Sequence, residues 1–280
     1  LNVIHELGPG LFDASFRHLS GPGPVDRVLC FDRNNLLWKI VEEGLALPRC
    51  HELMGLPEEA EFIFAFTLCD EPCYLYLGLP LPEGNGLKYR DPYLFRSLQP
   101  AELAWASLLG LQLSAWYAHH RRCGMCGSVL AHMEDERALY CPGCEAVLYP
   151  QIAPAVIVAV TSGQKILLAR SSARPGGWYS LISGYVDIGE TLEAAVVREV
   201  QEEVGLSVHG IRYVVSQPWP LSASLMVGFV AEASEDQEIR VDGNEIAEAA
   251  WFTRDRLPDH PPLLGIAGEL IERFRNGELC

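Results

Sequence analysis

The chain has 280 residues, 49% of them hydrophobic and 21% charged, enough for more than one domain with a core of its own. Its 21 basic and 37 acidic residues leave a net charge of −16, which argues against a broad basic footprint for nucleic acid. A phosphate-bearing substrate is not excluded, because cations held by carboxylates invert the local sign.

No apolar run approaches the roughly 18 residues of a membrane span. The longest, Ile152–Val160, has the length of a strand, so no membrane association is expected. The residues after Leu1 lack the basic-then-apolar pattern of a secretory leader, although a chain opening on leucine leaves trimming open.

In chain order, "RVLCFDRNNLLWKI" (27–40) places two apolar runs around a polar turn and predicts a hairpin. "EFIFAFTL" (61–68) and "CYLYLGL" (73–79) carry strand composition bounded by Asp, Pro and Gly. Residues 81–92, rich in Gly and Pro, read as loop. From Gln99 to His120 the apolar spacing turns helical, with Pro100 suited to a first turn and Trp105 and Trp116 expected in the core. "YPQIAPAVIVAVTSGQKILLAR" (149–170) predicts strand, Ser-Gly turn and strand. After "GGWYSLISG" (176–184) come a helix within 191–205, strands near 211–215 and 225–231, and a last helix over 264–275.

Cys123-Gly-Met-Cys126 and Cys141-Pro-Gly-Cys144, fourteen residues apart, form two facing knuckles. Each turn brings two thiolates to one side, and together they complete a tetrahedron for Zn²⁺ with no position left open, so the zinc is structural. Cys30, Cys50, Cys69, Cys73 and Cys280 are scattered, which favours free thiols in a reducing cytoplasm over disulfides. Arg121, Arg122, His119 and His120 beside the first knuckle suit either a solvated edge or a nucleic-acid contact.

In "SGYVDIGETLEAAVVREVQEEVGL" (183–206), Thr191 is the expected helix N-cap and Gly205 the left-handed stop. Glu199, Glu202 and Glu203 then fall within about a 100° arc, beside the stripe Leu192, Val196, Val200 and Val204. Carboxylates crowded at the edge of a core are unfavourable unless cations neutralise them, which favours a metal site over a solvated face. Arg198 points to another side of the helix, placed to tie Glu190 or the preceding loop by a bidentate bond.

Gly184, five residues, Glu190, seven residues, then Arg198-Glu199-Val200-Gln201-Glu202-Glu203-Val204-Gly205-Leu206 resembles the Nudix box with every fixed position filled. The resemblance covers 151 to about 275 and implies an α/β/α sandwich, Mg²⁺ or Mn²⁺ on the glutamates, and hydrolysis of a nucleoside diphosphate linked to another group. It implies Glu199 and Glu203 as principal ligands with Glu202 assisting; which carboxylate takes the water's proton stays open.

Downstream, "SQPWPLSASLM" (216–226) resembles the signature of the NADH pyrophosphatase (NudC-like) subgroup, and the order of zinc ribbon, box and SQPWP is that subgroup's order too. The resemblance implies cleavage of NAD(H) to nicotinamide mononucleotide and AMP, removal of NAD caps from RNA, and a homodimer. It implies substrate roles for Ser216, Gln217, Pro218, Trp219 and Ser224, a stacking role for Tyr185, an adenine contact near Ala267, and a further metal ligand at Glu245, with Glu248 as rival. Leu221, Ser222 and Ala223 depart from the subgroup's pattern, which bears on selectivity for the nicotinamide half.

The expected architecture is therefore α+β and multidomain. It comprises an N-terminal mixed α/β domain with linker helix (1–117), a zinc ribbon (118–150) and a C-terminal Nudix α/β/α sandwich (151–280). Two rivals stand beside the NAD(H) hydrolase: a broader pyrophosphohydrolase acting on ADP-ribose or dinucleoside polyphosphates, and a non-catalytic module that binds nucleotide or RNA.

Overall fold

The computed structural model describes residues 4–8, 10–96, 98–173 and 177–279. Leu1, Gly176 and Cys280, named above, lie outside them. The chain forms two compact units, one of residues 6–151 and one of residues 152–279 together with 4–5.

In the first unit, strands Phe12–Asp13, Phe62–Leu68, Glu71–Tyr76 and Arg27–Leu29 form one sheet in that order. Phe31–Asp32, Asn35–Val41 and Gly44–Ala46 form a second. The segment predicted as one hairpin thus feeds two sheets: Arg33, at φ 53, turns Phe31–Asp32 back onto Asn35–Val41, while Arg27–Leu29 pairs in parallel with Cys73–Leu75. The stretch 81–92 is not all loop. Its Leu87–Arg90 is a strand on Leu36–Lys39, reached through a tight turn at Gly84–Leu87, and Leu87 is buried.

Helix α1 spans Ala101–His119 with Pro100 at the N-cap. It is buried on most of its circumference, including Trp105 and Trp116. Gly110 sits against Leu29 and Phe31, where an added Cβ would lie 3.1 Å from the Leu29 side chain. Strands Ala131–His132, Leu139–Tyr140 and Val147–Leu148 make the small antiparallel sheet of the cysteine module.

The second unit is a sheet between two helices. Strand order is His209–Trp219, Ser224–Glu232, Ala153–Ser162, Lys165–Ser171, Ile246–Thr253, with Ile182–Tyr185 also paired to Ala153–Ser162. Because side chains alternate along a strand, the central strand serves two cores. Val156, Val158 and Val160 pack with Val196, Val200 and Val204 of helix α2 (Leu192–Val204). Ile157 and Ala159 pack with Ile266, Leu270, Ile271 and Phe274 of helix α3 (Ile266–Arg275). Each fully buried Val or Ile of these stripes contributes about 1.5–3 kcal/mol. Ile246–Thr253, to which the sequence pattern assigns no element, is an edge strand paired with Lys165–Ser171.

Candidate active site

Thr191 accepts a hydrogen bond from the Ala194 N–H at 3.1 Å and starts α2; Gly205, at φ 71, ends it. The stripe Val196–Val200–Val204 is buried outright and carries Glu203 with it, to 7% exposure. Glu199 is mostly covered and Glu202 faces water, with side-chain exposures of 12% and 60%. Gly184 explains how close Glu199 comes to the loop strand, since a Cβ there would lie 2.0 Å from the Glu199 carboxylate.

Arg198 closes the loop onto the helix. Its Nε and one terminal nitrogen donate to the two oxygens of Glu190 at 2.8 and 2.9 Å, and the same nitrogen donates to the Tyr185 carbonyl at 2.9 Å. The other terminal nitrogen donates to Glu199 at 2.8 Å and Glu202 at 3.1 Å. Bonding to Arg198 holds the Glu190 carboxyl down at about 2. Glu203 behaves in the opposite way. Burial first, then the charges of Glu199, Glu245, Asp242 and Glu202, push it up to about 8. Its carboxylate has no partner among the described residues.

An almost buried, unpartnered carboxyl facing four more acids is a donor set that fits a hard divalent cation. Among the described residues only the four cysteines bring their ligand atoms within 4.8 Å of one another, so the glutamates do not close on one point by themselves. Glu245 is exposed and near enough for its charge to act on Glu203, whereas Glu248 is tied to Arg170. Asp242, which the sequence reading missed, belongs to the same cluster; its signal was the Asp-Gly-Asn turn three residues before Glu245.

The SQPWP segment and the Ser-Leu-Met after it are cross-strand partners: Trp219 lies opposite Ser224, Pro218 opposite Leu225 and Gln217 opposite Met226. The Gln217–Met226 pair continues through Ala155 to Tyr185 on the sheet face that carries Ile157 and α3, while Leu225, opposite Pro218, packs on the α2 face. Gly184 and Glu199 belong to the other face, with α2.

Tyr185 is 54% exposed, Pro218 is exposed, and Trp219 is half-buried close to Gly265. Ser216 accepts from the Tyr213 hydroxyl at 3.4 Å. Gln217 is fully buried and its amide is committed within the chain: Oε1 accepts from the Ile266 N–H at 2.7 Å, and Nε2 donates to the Leu264 carbonyl and meets His5 Nδ1, both at 3.2 Å. In this structure it caps α3 and offers nothing to a substrate. Ser224 is likewise buried, 2.8 Å from the Ser222 hydroxyl, and Ala267 packs on the α3 core. His5 meets Gln217 from 212 residues away in the chain.

In the first unit, Cys123 Sγ lies 3.6 Å from Cys144 Sγ and Cys126 Sγ 3.4 Å from Cys141 Sγ. A tetrahedron with 2.3 Å bonds has edges of about 3.8 Å, so the four thiols fit Zn²⁺. The knuckles close alike: Gly127 N–H donates to the Cys123 carbonyl at 2.9 Å and Glu145 N–H to the Cys141 carbonyl at 2.8 Å. Hydrogen bonding with Ser128 holds the Cys126 thiol down at about 6, favouring the thiolate that a metal needs.

The NUDIX domain model matches residues 151–274. An NAD-capped RNA hydrolase NudC of Stutzerimonas stutzeri (strain A1501) is 45% identical over 219 residues, 77% of this chain and 74% of that one. One of Pectobacterium carotovorum subsp. carotovorum (strain PC1) is 45% identical over 163 residues, 58% of this chain and 62% of that one. The chain thus spans under two thirds of the length of several such relatives. A crystal structure of a NUDIX hydrolase from Nitrosomonas europaea superposes with a TM-score of 0.48 at 24% identity, over 56% of this chain and 91% of that one. On the Stutzerimonas match, the chain belongs to the NudC family of NUDIX-domain proteins.

Proposed function

We propose that the chain hydrolyses the pyrophosphate of NAD(H), yielding nicotinamide mononucleotide and AMP, and cleaves the same bond in NAD-capped RNA to leave a 5′ monophosphate. The observation that carries this is Glu203, almost buried and unpartnered, facing Glu199 and Glu245 beneath a loop fixed by Arg198. The 45% identity to relatives named for NAD-capped RNA hydrolysis supports the substrate.

The reaction adds water across a P–O–P bridge: an oxygen–phosphorus bond forms, the bridging bond breaks, and a proton is released. Glu199, Glu203 and Glu245 would hold Mg²⁺ or Mn²⁺, with Glu202 at the exposed rim; the cation would supply charge neutralisation for the pyrophosphate and a lowered pKa for an attacking water. One of these carboxylates would take the water's proton. Arg198 and Glu190 orient the loop, keeping the Glu199 carboxylate against Gly184. Tyr185 and Trp219 offer ring faces for the bases.

Zinc on the four cysteines is structural in this proposal. A homodimer, to be checked by light scattering, and a cytoplasmic location complete it; the free thiols Cys30, Cys50, Cys69 and Cys73 support the location. The test is product analysis after incubation with NADH and Mg²⁺ or Mn²⁺. Reduced nicotinamide mononucleotide and AMP in equal amounts support the proposal, and intact NADH overturns it.

A second reading, a broad hydrolase of ADP-linked pyrophosphates, is favoured by one observation. Ser222 is hydrogen-bonded to Ser224 and Ala223 takes a left-handed turn at φ 50, so Leu221–Ala223 form a turn of their own where the subgroup's pattern differs. Offering NADH and ADP-ribose together decides: equal use favours the broad enzyme, strong preference for NADH the narrow one.

A further inference from the structure

Five acids around one small volume repel one another, so something must hold each in place before a cation arrives. Glu199 and Glu202 are held by Arg198, and Glu203 by its place in the buried stripe. Glu245 has neither device; its carboxylate is exposed, in the loop before the edge strand.

What is held there is the main chain. The loop is fastened to the end of α2, where the Asp242 N–H donates to the Glu203 carbonyl at 3.2 Å and the Arg240 N–H to the Val204 carbonyl at 2.9 Å. These bonds use carbonyls that the helix end leaves open. The Asp242 side chain then turns forward: Oδ2 accepts from the Glu245 N–H at 3.0 Å and Oδ1 from the Ile246 N–H at 2.9 Å. Gly243, at φ 76, allows the reversal. From the other side, the Ser172 N–H donates to the Glu245 carbonyl at 2.8 Å. The strand pairing beyond is irregular between Arg170 and Ser171, and Glu248 is drawn away to Arg170.

We propose that Asp242 is a positioning residue: by gripping the N–H groups of Glu245 and Ile246 it holds the Glu245 carboxylate toward Glu203 as a cation ligand. The proposal rests on the cation site of the proposed function. Without the Asp242 carboxylate the loop stays fastened at Arg240, but Glu245 is free to swing to water, away from the other acids. Both Asp242 carboxylate oxygens are taken by main-chain N–H groups, so Asp242 acts through Glu245.

The experiment measures Mn²⁺ binding to the full, substrate-free chain by electron paramagnetic resonance, so no turnover is needed. Removing a residue that orients a metal ligand weakens binding by about tenfold or more, and that is the expected result for Asp242→Ala. Asp242→Asn, whose single amide oxygen keeps one of the two bonds, recovers part of the loss. Glu245→Gln weakens binding by itself, and adding Asp242→Ala to it weakens binding no further than about twofold, since the residue acts through Glu245. Wild-type binding in Asp242→Ala, or losses that multiply in the double variant, overturns the inference. If Asp242→Ala does not fold, Asp242→Asn alone and with Glu245→Gln is read by the same criterion. Failure of the wild-type chain to bind Mn²⁺, or unchanged binding in Glu203→Gln, overturns the cation site itself and this inference with it.

Discussion

The two metal-type constellations of this chain are assembled on opposite principles. The four cysteine sulfurs lie within 4.8 Å of one another, because each knuckle is closed by its own backbone bonds. The carboxylates do not converge. Two of them lean on Arg198, one is buried with a raised proton affinity, and one waits on a loop. A four-cysteine site leaves its metal no open position, whereas crowded acids are stable together only with cations between them. The lesson is that burial of charge, more than the count of acids, marks the working site.

Zinc removal breaks the comparison hardest. Structural zinc contributes on the order of 10 kcal/mol to small modules, so a strong chelator followed by Mg²⁺ should leave the cysteine module unfolded by circular dichroism and proteolysis. The sandwich of residues 152–279 should keep its melting transition. Loss of both transitions together would contradict the separation.

The next effect is on pH. Glu203 in the folded chain titrates near 8 against an ordinary 4.5, so above 4.5 the unfolded state gives up a proton that the folded state keeps. Stability then falls as pH rises from 4.5 to 8. Glu190 works the other way: held at about 2, it contributes stability above 4.5 that is lost as pH falls toward 2. Melting temperatures should therefore fall on both sides of mildly acidic pH. Glu203→Gln should flatten the alkaline limb alone, and saturating Mg²⁺ or Mn²⁺ should do the same to the wild type. An alkaline limb unchanged in Glu203→Gln would assign the effect elsewhere.

Arg198→Lys should come third. Lysine keeps the charge but not the fork that binds Glu190 at two points while reaching Tyr185 and Glu199. A loss of about ten- to a hundredfold in kcat, with a small change in melting temperature, is expected from steady-state kinetics and calorimetry on the same preparation.

The smallest effect belongs to the cysteine module. Glu145 holds, at φ 61, the turn position that Gly127 holds at φ 77 in the other knuckle. Glu145→Gly relieves the left-handed strain, about 1 kcal/mol, and should raise the melting temperature of the first unit by a few degrees. A lower melting temperature would mean that Glu145 contributes through its side chain.

Much of this was legible in the sequence because the deciding signals are local. Thr191 and Gly205 bound α2, the valine stripe sets which way the glutamates point, and two Cys-x-x-Cys turns define their own geometry. The strand Leu87–Arg90 was hidden by the glycines and prolines that deliver it, and Ile246–Thr253 by its alanines and acids, which carry no strand period. Gln217 is a different case: its motif suggests a substrate role, and whether a glutamine faces a ligand or caps a helix 49 residues away is a matter of tertiary packing. Asp242 announced itself only as an Asp-Gly-Asn turn; what that turn grips depends on a strand and a helix end that meet only in the fold.

The most direct test is single-turnover hydrolysis of NADH with Mn²⁺ by the wild-type chain and by Glu203→Gln, which removes the charge while keeping the shape. A drop of roughly a thousandfold or more in the formation of reduced nicotinamide mononucleotide and AMP, with the fold intact, is the predicted result. Equal rates in the two proteins would contradict the account, because the buried, unpartnered carboxyl on which it rests would then have no part in the chemistry.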